Sequence, residues 1–309
     1  MEGMDVKLVE LDEIQAAAER IAPVAVRTPL VPMGEVWVKP ESLQRVGSFK
    51  IRGAYNAAVS LADGRGVVTH SSGNHGQALA YAAKKLGVPC VVVVPEGTPQ
   101  VKAEAIVGHG AELVVVPPER RVSAAEKVAA ERGMTMVPPY DHPAVIAGQG
   151  TIGLEIVADL PDVEVVLVPV SGGGLASGIA SAVKALRPSA AVVGVEPELA
   201  ADALESLRAG RPVSWEPART FRTIADGLRA DLSELTFAHL RERLDDIVTV
   251  SEDEIRAAMG HLARAARLVA EPSGATATAA YLAGRAPAGR TVVVLSGGNV
   301  DPGLFRSVI

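Results

Sequence analysis

Gly87-Val88-Pro89-Cys90-Val91-Val92-Val93-Val94-Pro95 is the stretch that decides the fold. Cys90 to Val94 is apolar with no polar alternation, and Pro95 closes it. Such a run suits a strand of a parallel sheet covered on both faces, because a half-exposed strand would alternate. Upstream, Asn74 to Leu86 predicts a helix stopped by Gly87 and Pro89. Before it, Val67-Val68-Thr69-His70 predicts the end of a strand. Downstream, Gln100 to Val107 predicts a helix, Glu112 to Val116 a strand, and Val122 to Arg132 a helix stopped by Gly133. Strands that alternate with helices build βαβ units and so a parallel sheet.

The rhythm extends in both directions. Toward the N-terminus, Leu11 to Ile21 predicts an amphipathic helix, broken by Arg27-Thr28-Pro29-Leu30. Val36 to Pro40 predicts a short strand, and Lys50 to Leu61 a helix with Ser48 as its N-cap. Toward the C-terminus, Met136 to Tyr140 reads as a crossing between two lobes. Helices are expected over Ile152–Leu160, Leu175–Leu186, Ala201–Ala209 and Gly274–Leu282, and from Ser251-Glu252-Asp253-Glu254, a serine cap with early acids. Strands are expected over Val163–Val170, Ala191–Val195 and Thr291–Leu295, with an irregular stretch over Gly210–Ala230. The fold class is therefore α/β, doubly wound with mostly parallel sheets in two lobes. Residues 58–141 are assigned to a small lobe, and residues 1–57 and 142–309 to a large one.

Composition excludes several function classes. A chain of 309 residues with 48% hydrophobic residues can bury two lobes. A net charge of -6 without a basic cluster, and 3% aromatic residues, argue against a nucleic-acid partner. No apolar run reaches membrane-spanning length, and Met1-Glu2-Gly3-Met4-Asp5 carries no signal-peptide pattern. The single cysteine, Cys90, cannot form an internal disulfide, which suits a reducing, cytoplasmic setting. Its place at the head of the valine run makes it a buried structural thiol.

Four stretches carry chemistry. Lys50 opens a helix in Ser48-Phe49-Lys50-Ile51-Arg52-Gly53. A cation in the first helical turn opposes the helix dipole, which favours the neutral amine that an imine link needs. On its own, Lys50 reads as a surface lysine. Val168-Pro169-Val170-Ser171-Gly172-Gly173-Gly174-Leu175 is a strand, a glycine-rich turn and a helix start. Three glycines exceed what a turn requires, and free amides at a helix N-terminus favour a phosphate. The Lys-Ser/Thr pair of a P-loop is absent, and Gly172, Gly174 and Gly178 miss the dinucleotide spacing by one residue. Ser71-Ser72-Gly73-Asn74-His75-Gly76 follows a strand and opens a helix, so its amides can bind a carboxylate. His75 reads equally as a base and as a structural histidine. Ser296-Gly297-Gly298-Asn299 follows the last strand, on the side where open α/β sheets bind ligands. In addition, Glu196, the carbonyl of Ala200 and Asp202 can form an oxygen site for Mg²⁺ or Ca²⁺, or serve as helix-start acids.

Together and in order, these stretches resemble the fold-type II enzymes dependent on pyridoxal 5'-phosphate (PLP), whose fold is tryptophan synthase β-like. Within them the chain is similar to the serine/threonine dehydratases and serine racemase. Gly47 to Ala54, Ser71 to Gln77, Val145 to Thr151, the glycine loop, Ala225-Asp226-Gly227, Val250 to Ile255 and Leu295 to Asp301 carry the likeness. The resemblance implies that Lys50 forms the Schiff base and shuttles the α-proton, and that Phe49 packs on the cofactor ring. It implies that Asn74 bonds the 3'-oxygen, that Gly172, Gly173, Gly174 and Leu175 hold the phosphate, and that Ser296 faces the pyridine nitrogen. Ser71, Ser72, Gly73, Asn74 and His75 would hold the substrate carboxylate.

The resemblance further implies loss of water from L-serine or L-threonine, with a homodimer as the assembly. A neutral serine at the ring nitrogen weakens the electron sink and favours elimination over transamination. Ser72 matches the racemase branch, where it serves as acid/base on the face opposite the lysine. Glu196, Ala200 and Asp202 match that branch's metal site. Serine racemase and 3-hydroxyaspartate dehydratase are therefore the rivals within the class, and a cysteine-synthase-like enzyme fits less well. Outside it stand a non-catalytic PLP or amino-acid binder and a nucleotide-binding protein. Ser171 replaces a customary fourth glycine, and Pro29 to Val36 is short for the family. Since the sequence runs only to Ile309, no feedback through a C-terminal regulatory domain is expected.

Overall fold

The computed structural model describes residues 6–61, 63–71 and 73–309. Among these, ten strands form two sheets. The larger contains β1 (Val31–Met33), β2 (Val36–Pro40), β7 (Val165–Pro169), β8 (Ala191–Pro197), β9 (Asp246–Val250) and β10 (Thr291–Leu295) in the order β1-β2-β10-β7-β8-β9. Only the β1–β2 pair is antiparallel. The smaller sheet contains β3 (Val67–Thr69), β4 (Cys90–Pro95), β5 (Glu112–Val116) and β6 (Thr135–Met136), all parallel, in the order β5-β4-β3-β6.

The valine runs behave as their lack of alternation predicts. In β4, Val92 and Val94 enter one core while Val91 and Val93 enter another. In β10, Val293 and Leu295 face one core and Val292 and Val294 the opposite one. Each sheet is therefore covered on both faces, and burial on both sides removes any place for a polar alternate residue.

Helices fill the connections. In chain order they are α1 (Leu11–Ile21), α2 (Lys50–Leu61), α3 (Asn74–Leu86), α4 (Gln100–Gly108), α5 (Arg121–Arg132), α6 (Pro143–Asp159) and α7 (Gly174–Leu186). Then follow α8 (Asp202–Ala209), α9 (Pro217–Thr220), α10 (Glu234–Arg243), α11 (Glu252–His261), α12 (Pro272–Leu282) and α13 (Pro302–Arg306). Helix α6 begins nine residues earlier than its sequence pattern suggests, and His142 caps it by accepting from Ala144 N at 3.1 Å. Its glycines look like breakers but serve close packing. A Cβ on Gly148 would lie 2.6 Å from Gly53 Cα, and one on Gly150 would lie 2.9 Å from Gly178 O. Gly178, read above against a dinucleotide pattern, thus packs α7 onto α6. Helix α10 and strand β9 lie between Ala230 and Ser251, where the sequence predicts no element. Ser233 and Thr236 form a capping box there, with threonine where the common pattern has glutamate.

Chain order places β8 directly after β7, yet β10 pairs with the other side of β7. The β7–β10 crevice is therefore a topological switch point, the usual place for a ligand. The glycine loop and Ser296 both leave the sheet at its carboxyl ends.

Candidate active site

Lys50 is the first residue of α2. Before it, Ser48 pairs with Gly297 in an isolated bridge, and Phe49 N donates to Ser296 O at 3.0 Å. The Ser48 hydroxyl is buried without a partner, so Ser48 is not the predicted side-chain cap. Backbone pairing with the Ser296 loop fixes the helix start instead. Lys50 keeps part of its surface open, with its Nζ 5.0 Å from the Phe49 ring centre. That Nζ donates to Pro139 O at 2.7 Å. Burial lowers the amine to about 8.

The segment read as a lobe crossing brings the lysine to the glycine loop. Tyr140 follows the Pro139 carbonyl, and its ring covers Gly172, where an added Cβ would lie 2.5 Å from Tyr140 Cε1. A Cβ on Gly174 would meet Tyr140 Cβ at 2.9 Å. Gly173 has φ +85°, a conformation glycine adopts freely. Neither Gly172 N nor Gly173 N donates to another backbone carbonyl among the described residues. Gly174 and Leu175 open α7, where amides lack intrahelical acceptors. The loop is thus a row of amides at a helix N-terminus, ready for an anion. Ser171 does not open the cradle further, since its Oγ accepts from Ala230 N at 3.0 Å.

Asn74 starts α3 and joins this site from the smaller sheet. Its Nδ2 donates to Glu271 Oε1 at 2.7 Å, and its Oδ1 accepts from Asn299 Nδ2 at 2.7 Å. Glu271 N in turn donates to Gly297 O at 3.1 Å, and Ser296 is buried beside it in sequence. His75 is buried, with Nε2 3.0 Å from Val137 O. Burial, then the Lys50 charge, push its ring down to about 3. A neutral ring bonded to a carbonyl supplies no cation, so a carboxylate would meet the His75 amide rather than a charged ring. Ser71 and Gly73 flank the same helix start, while Ser72 lies outside the described residues.

Residues 21–297 match the family described as pyridoxal-phosphate dependent enzyme. The chain belongs to that family. Within it the chain is a fold-type II member of the serine/threonine dehydratase and serine racemase group. It is 40% identical to the L-threo-3-hydroxyaspartate ammonia-lyase of Saccharomyces cerevisiae, over 96% of this chain and 95% of that protein. It is also 40% identical to a serine racemase of Arabidopsis thaliana, over 94% and 93%. The crystal structure of a T.th. threonine deaminase superposes with a TM-score of 0.90, at 44% identity, over 94% of this chain and 99% of that one.

The residues present fit PLP. They offer an amine of lowered basicity, amides of Gly172 and Gly173 with no backbone acceptor among the described residues, and an aromatic ring beside the amine. Glu271 was missed in the sequence, and Asn299, quoted within the Ser296 motif, was given no role of its own. The signal for Glu271 was an acid set in apolar surroundings, Leu268-Val269-Ala270, just before the helix-opening Pro272.

The candidate metal residues lie at the carboxyl end of β8. Glu196 is buried and accepts from Ala203 N at 3.0 Å and Leu204 N at 2.8 Å. Burial, then the nearby Asp202, raise its proton affinity well above the usual range. Asp202 is buried with Oδ2 unpartnered, and burial pushes it up to about 7. Among the described residues no three His, Cys, Asp or Glu side chains gather. A cation there would rest on two carboxylates and the Ala200 carbonyl. The orphaned Oδ2 and the mutual repulsion fit that charge. Cys90 is buried, and burial pushes its thiol up to about 12, as a structural thiol requires. No helix among the described residues is long and apolar enough to cross a membrane.

Proposed function

We propose that this chain is a PLP-dependent ammonia-lyase that removes water from L-threonine and L-serine, yielding 2-oxobutanoate or pyruvate and ammonia. One observation carries the reading. Lys50 Nζ and the glycine loop meet the same dipeptide, Pro139-Tyr140, which supports an amine and a phosphate cradle acting in one site. When bound, PLP supplies the sink for the electron pair left by the α-proton.

The chain's residues do the rest. Lys50 would hold the cofactor covalently and then accept the α-proton at Nζ, for which an amine near pH 8 is suited. The amides of Gly172, Gly173, Gly174 and Leu175 would bind the phosphate. Phe49 would lie against the ring, Asn74 would donate to its phenolic oxygen, and Ser296 would face its nitrogen. The amides of Ser71 to His75 would orient the substrate carboxylate so that the α-hydrogen points at Lys50. Residues 58–141 would close as a small lobe on residues 1–57 and 142–309.

A second reading, serine racemase or 3-hydroxyaspartate dehydratase, is favoured by Ser72 and by the pair Glu196 and Asp202. Ser72 would exchange a proton on the face opposite Lys50. A divalent cation, Mg²⁺ or Ca²⁺, would sit between Glu196, the Ala200 carbonyl and Asp202. A homodimer in the cytoplasm is the assembly and place proposed. The buried free Cys90 suits that place.

Product analysis tests the proposal. Purified protein with PLP and Mg²⁺ is given L-threonine, L-serine, D-serine and both 3-hydroxyaspartates. Keto acid and ammonia from L-threonine and L-serine, without D-serine, support it. D-serine from L-serine, or oxaloacetate as the fastest product, favours the second reading, and Ser72→Ala then becomes the decisive variant.

A further inference from the structure

Three side chains in the site form a line whose polarity has a fixed origin. Asn299 Nδ2 donates to Val46 O at 2.9 Å and to Asn74 Oδ1 at 2.7 Å. A backbone carbonyl can only accept, so the Asn299 atom facing Val46 must be its nitrogen. The same nitrogen faces Asn74, so the Asn74 atom there must be its oxygen. The amide nitrogen of Asn74 is then turned to Glu271 Oε1 at 2.7 Å, and Glu271 must accept. One N–H of Asn74 Nδ2 is used in that bond, and the other has no partner among the described residues.

The backbone is cut away to admit both outer members of the line. A Cβ on Gly47 would lie 2.3 Å from Asn299 Oδ1, and a Cβ on Gly297 would lie 2.4 Å from Glu271 Oε1. Glu271 is buried, while Asn299 is exposed. Burial, then the charge of Asp226, favours the protonated Glu271 carboxyl, which can still accept through Oε1. A neutral acid there adds no negative charge beside a phenolic oxygen.

We propose that Asn299 and Glu271 are positioning residues that fix the amide of Asn74 so that its free N–H, not its oxygen, meets the cofactor's phenolic oxygen. This rests on the reading of Asn74 given above. Their effect passes through Asn74.

The test uses the holoenzyme and measures the PLP dissociation constant, the visible spectrum of bound PLP and its pH titration, without substrate. Variants are Asn74→Ala, Glu271→Leu, Glu271→Gln and Asn299→Asp, each checked for folding by circular dichroism. Glu271→Leu removes the buried acceptor and is expected to weaken PLP about tenfold and shift the spectrum. Asn299→Asp puts an acceptor where two donors are needed, and in its exposed setting is expected to weaken PLP about threefold with the same spectral shift. Glu271→Gln keeps a carbonyl acceptor and is expected to restore the wild-type spectrum, which a merely structural role would not require. Wild-type constants and spectra in Glu271→Leu and Asn299→Asp, with Asn74→Ala impaired, overturn the inference. An unimpaired Asn74→Ala overturns the reading of Asn74 beneath it. If Asn299→Asp does not fold, the contrast between Glu271→Leu and Glu271→Gln decides alone.

Discussion

Replacing Arg52 with methionine should cost the protein about 3–5 kcal/mol, the range for breaking a buried ion pair. Arg52 lies two residues after Lys50, and its side chain is fully buried. Its Nε and Nη2 donate to Glu41 at 2.8 Å each, and its Nη1 and Nη2 to Glu155 at 2.6 and 2.8 Å. Lys39, also fully buried, donates to Glu155 at 2.6 Å. Two cations thus balance two carboxylates in the core beneath the start of α2. Methionine keeps much of the volume, so the lost charge dominates over a cavity. Glu41 would retain only Thr28 Oγ1 at 2.7 Å and Gln44 Nε2 at 3.0 Å as side-chain donors.

The pH dependence follows with a definite sign. Burial pushes the Glu41 carboxyl up, but Arg52 and Lys39 together hold it below the usual carboxylate range. In the wild type Glu41 therefore stabilises the fold above its unfolded pKa, and that share is lost as pH falls through the lower folded value. Without Arg52, burial prevails and the folded carboxyl binds its proton more tightly than the unfolded one. The variant's deficit is then greatest at neutral pH and shrinks as the solution is acidified toward pH 4. Denaturant unfolding followed by circular dichroism at pH 7 and pH 5 measures both effects. Adding Glu41→Gln to Arg52→Met should recover most of the loss. A loss below about 1 kcal/mol at pH 7, or one independent of pH, refutes the buried-charge reasoning.

Other expectations concern the site. With its amine near 8, Lys50 should capture PLP faster as pH rises from 7 to 9, read as the rate of visible absorbance gain by apoprotein; a flat profile contradicts a burial-lowered amine. Gly172→Ala drives a methyl group into the Tyr140 ring and should weaken PLP binding roughly tenfold or more, read by dialysis and fluorescence. Chelation should lower the melting temperature, and Mg²⁺ should restore it in wild type but not in Asp202→Asn; no response in either returns Glu196 and Asp202 to capping α8.

Legibility in the sequence followed the physics of each element. Helices α1, α2 and α3 and strands β2, β5 and β10 end where punctuation and periodicity place them, because caps, prolines and apolar runs are local signals. Helix α6 was cut short because Gly148, Gly150 and Gly153 weaken a helix on their own, and only the facing α2 and α7 backbones show why they are there. Ser48 looked like a cap, but its backbone is claimed by Gly297, a partner 249 positions away. The glycine loop, Asn74, Ser296 and Lys50 stood out as short motifs. Their meeting point did not, since Pro139-Tyr140 offers a backbone carbonyl and a ring face that leave no sequence signature. Glu271 and the pairing of Asn299 were hidden for the same reason: both bond to the Asn74 side chain, and such pairs form only in the folded chain. His75 shows the reverse case, a residue type that invites a catalytic role and is buried with Nε2 on a backbone carbonyl.

Lys50 is the residue proposed to hold the cofactor. Borohydride treatment of the PLP-loaded protein would trap the carbon–nitrogen bond, and peptide mass mapping would locate it. The account predicts a single phosphopyridoxyl group on the peptide containing Phe49-Lys50-Ile51, absent in Lys50→Ala. A label on another lysine, or none in a protein that still turns over L-threonine, would contradict it.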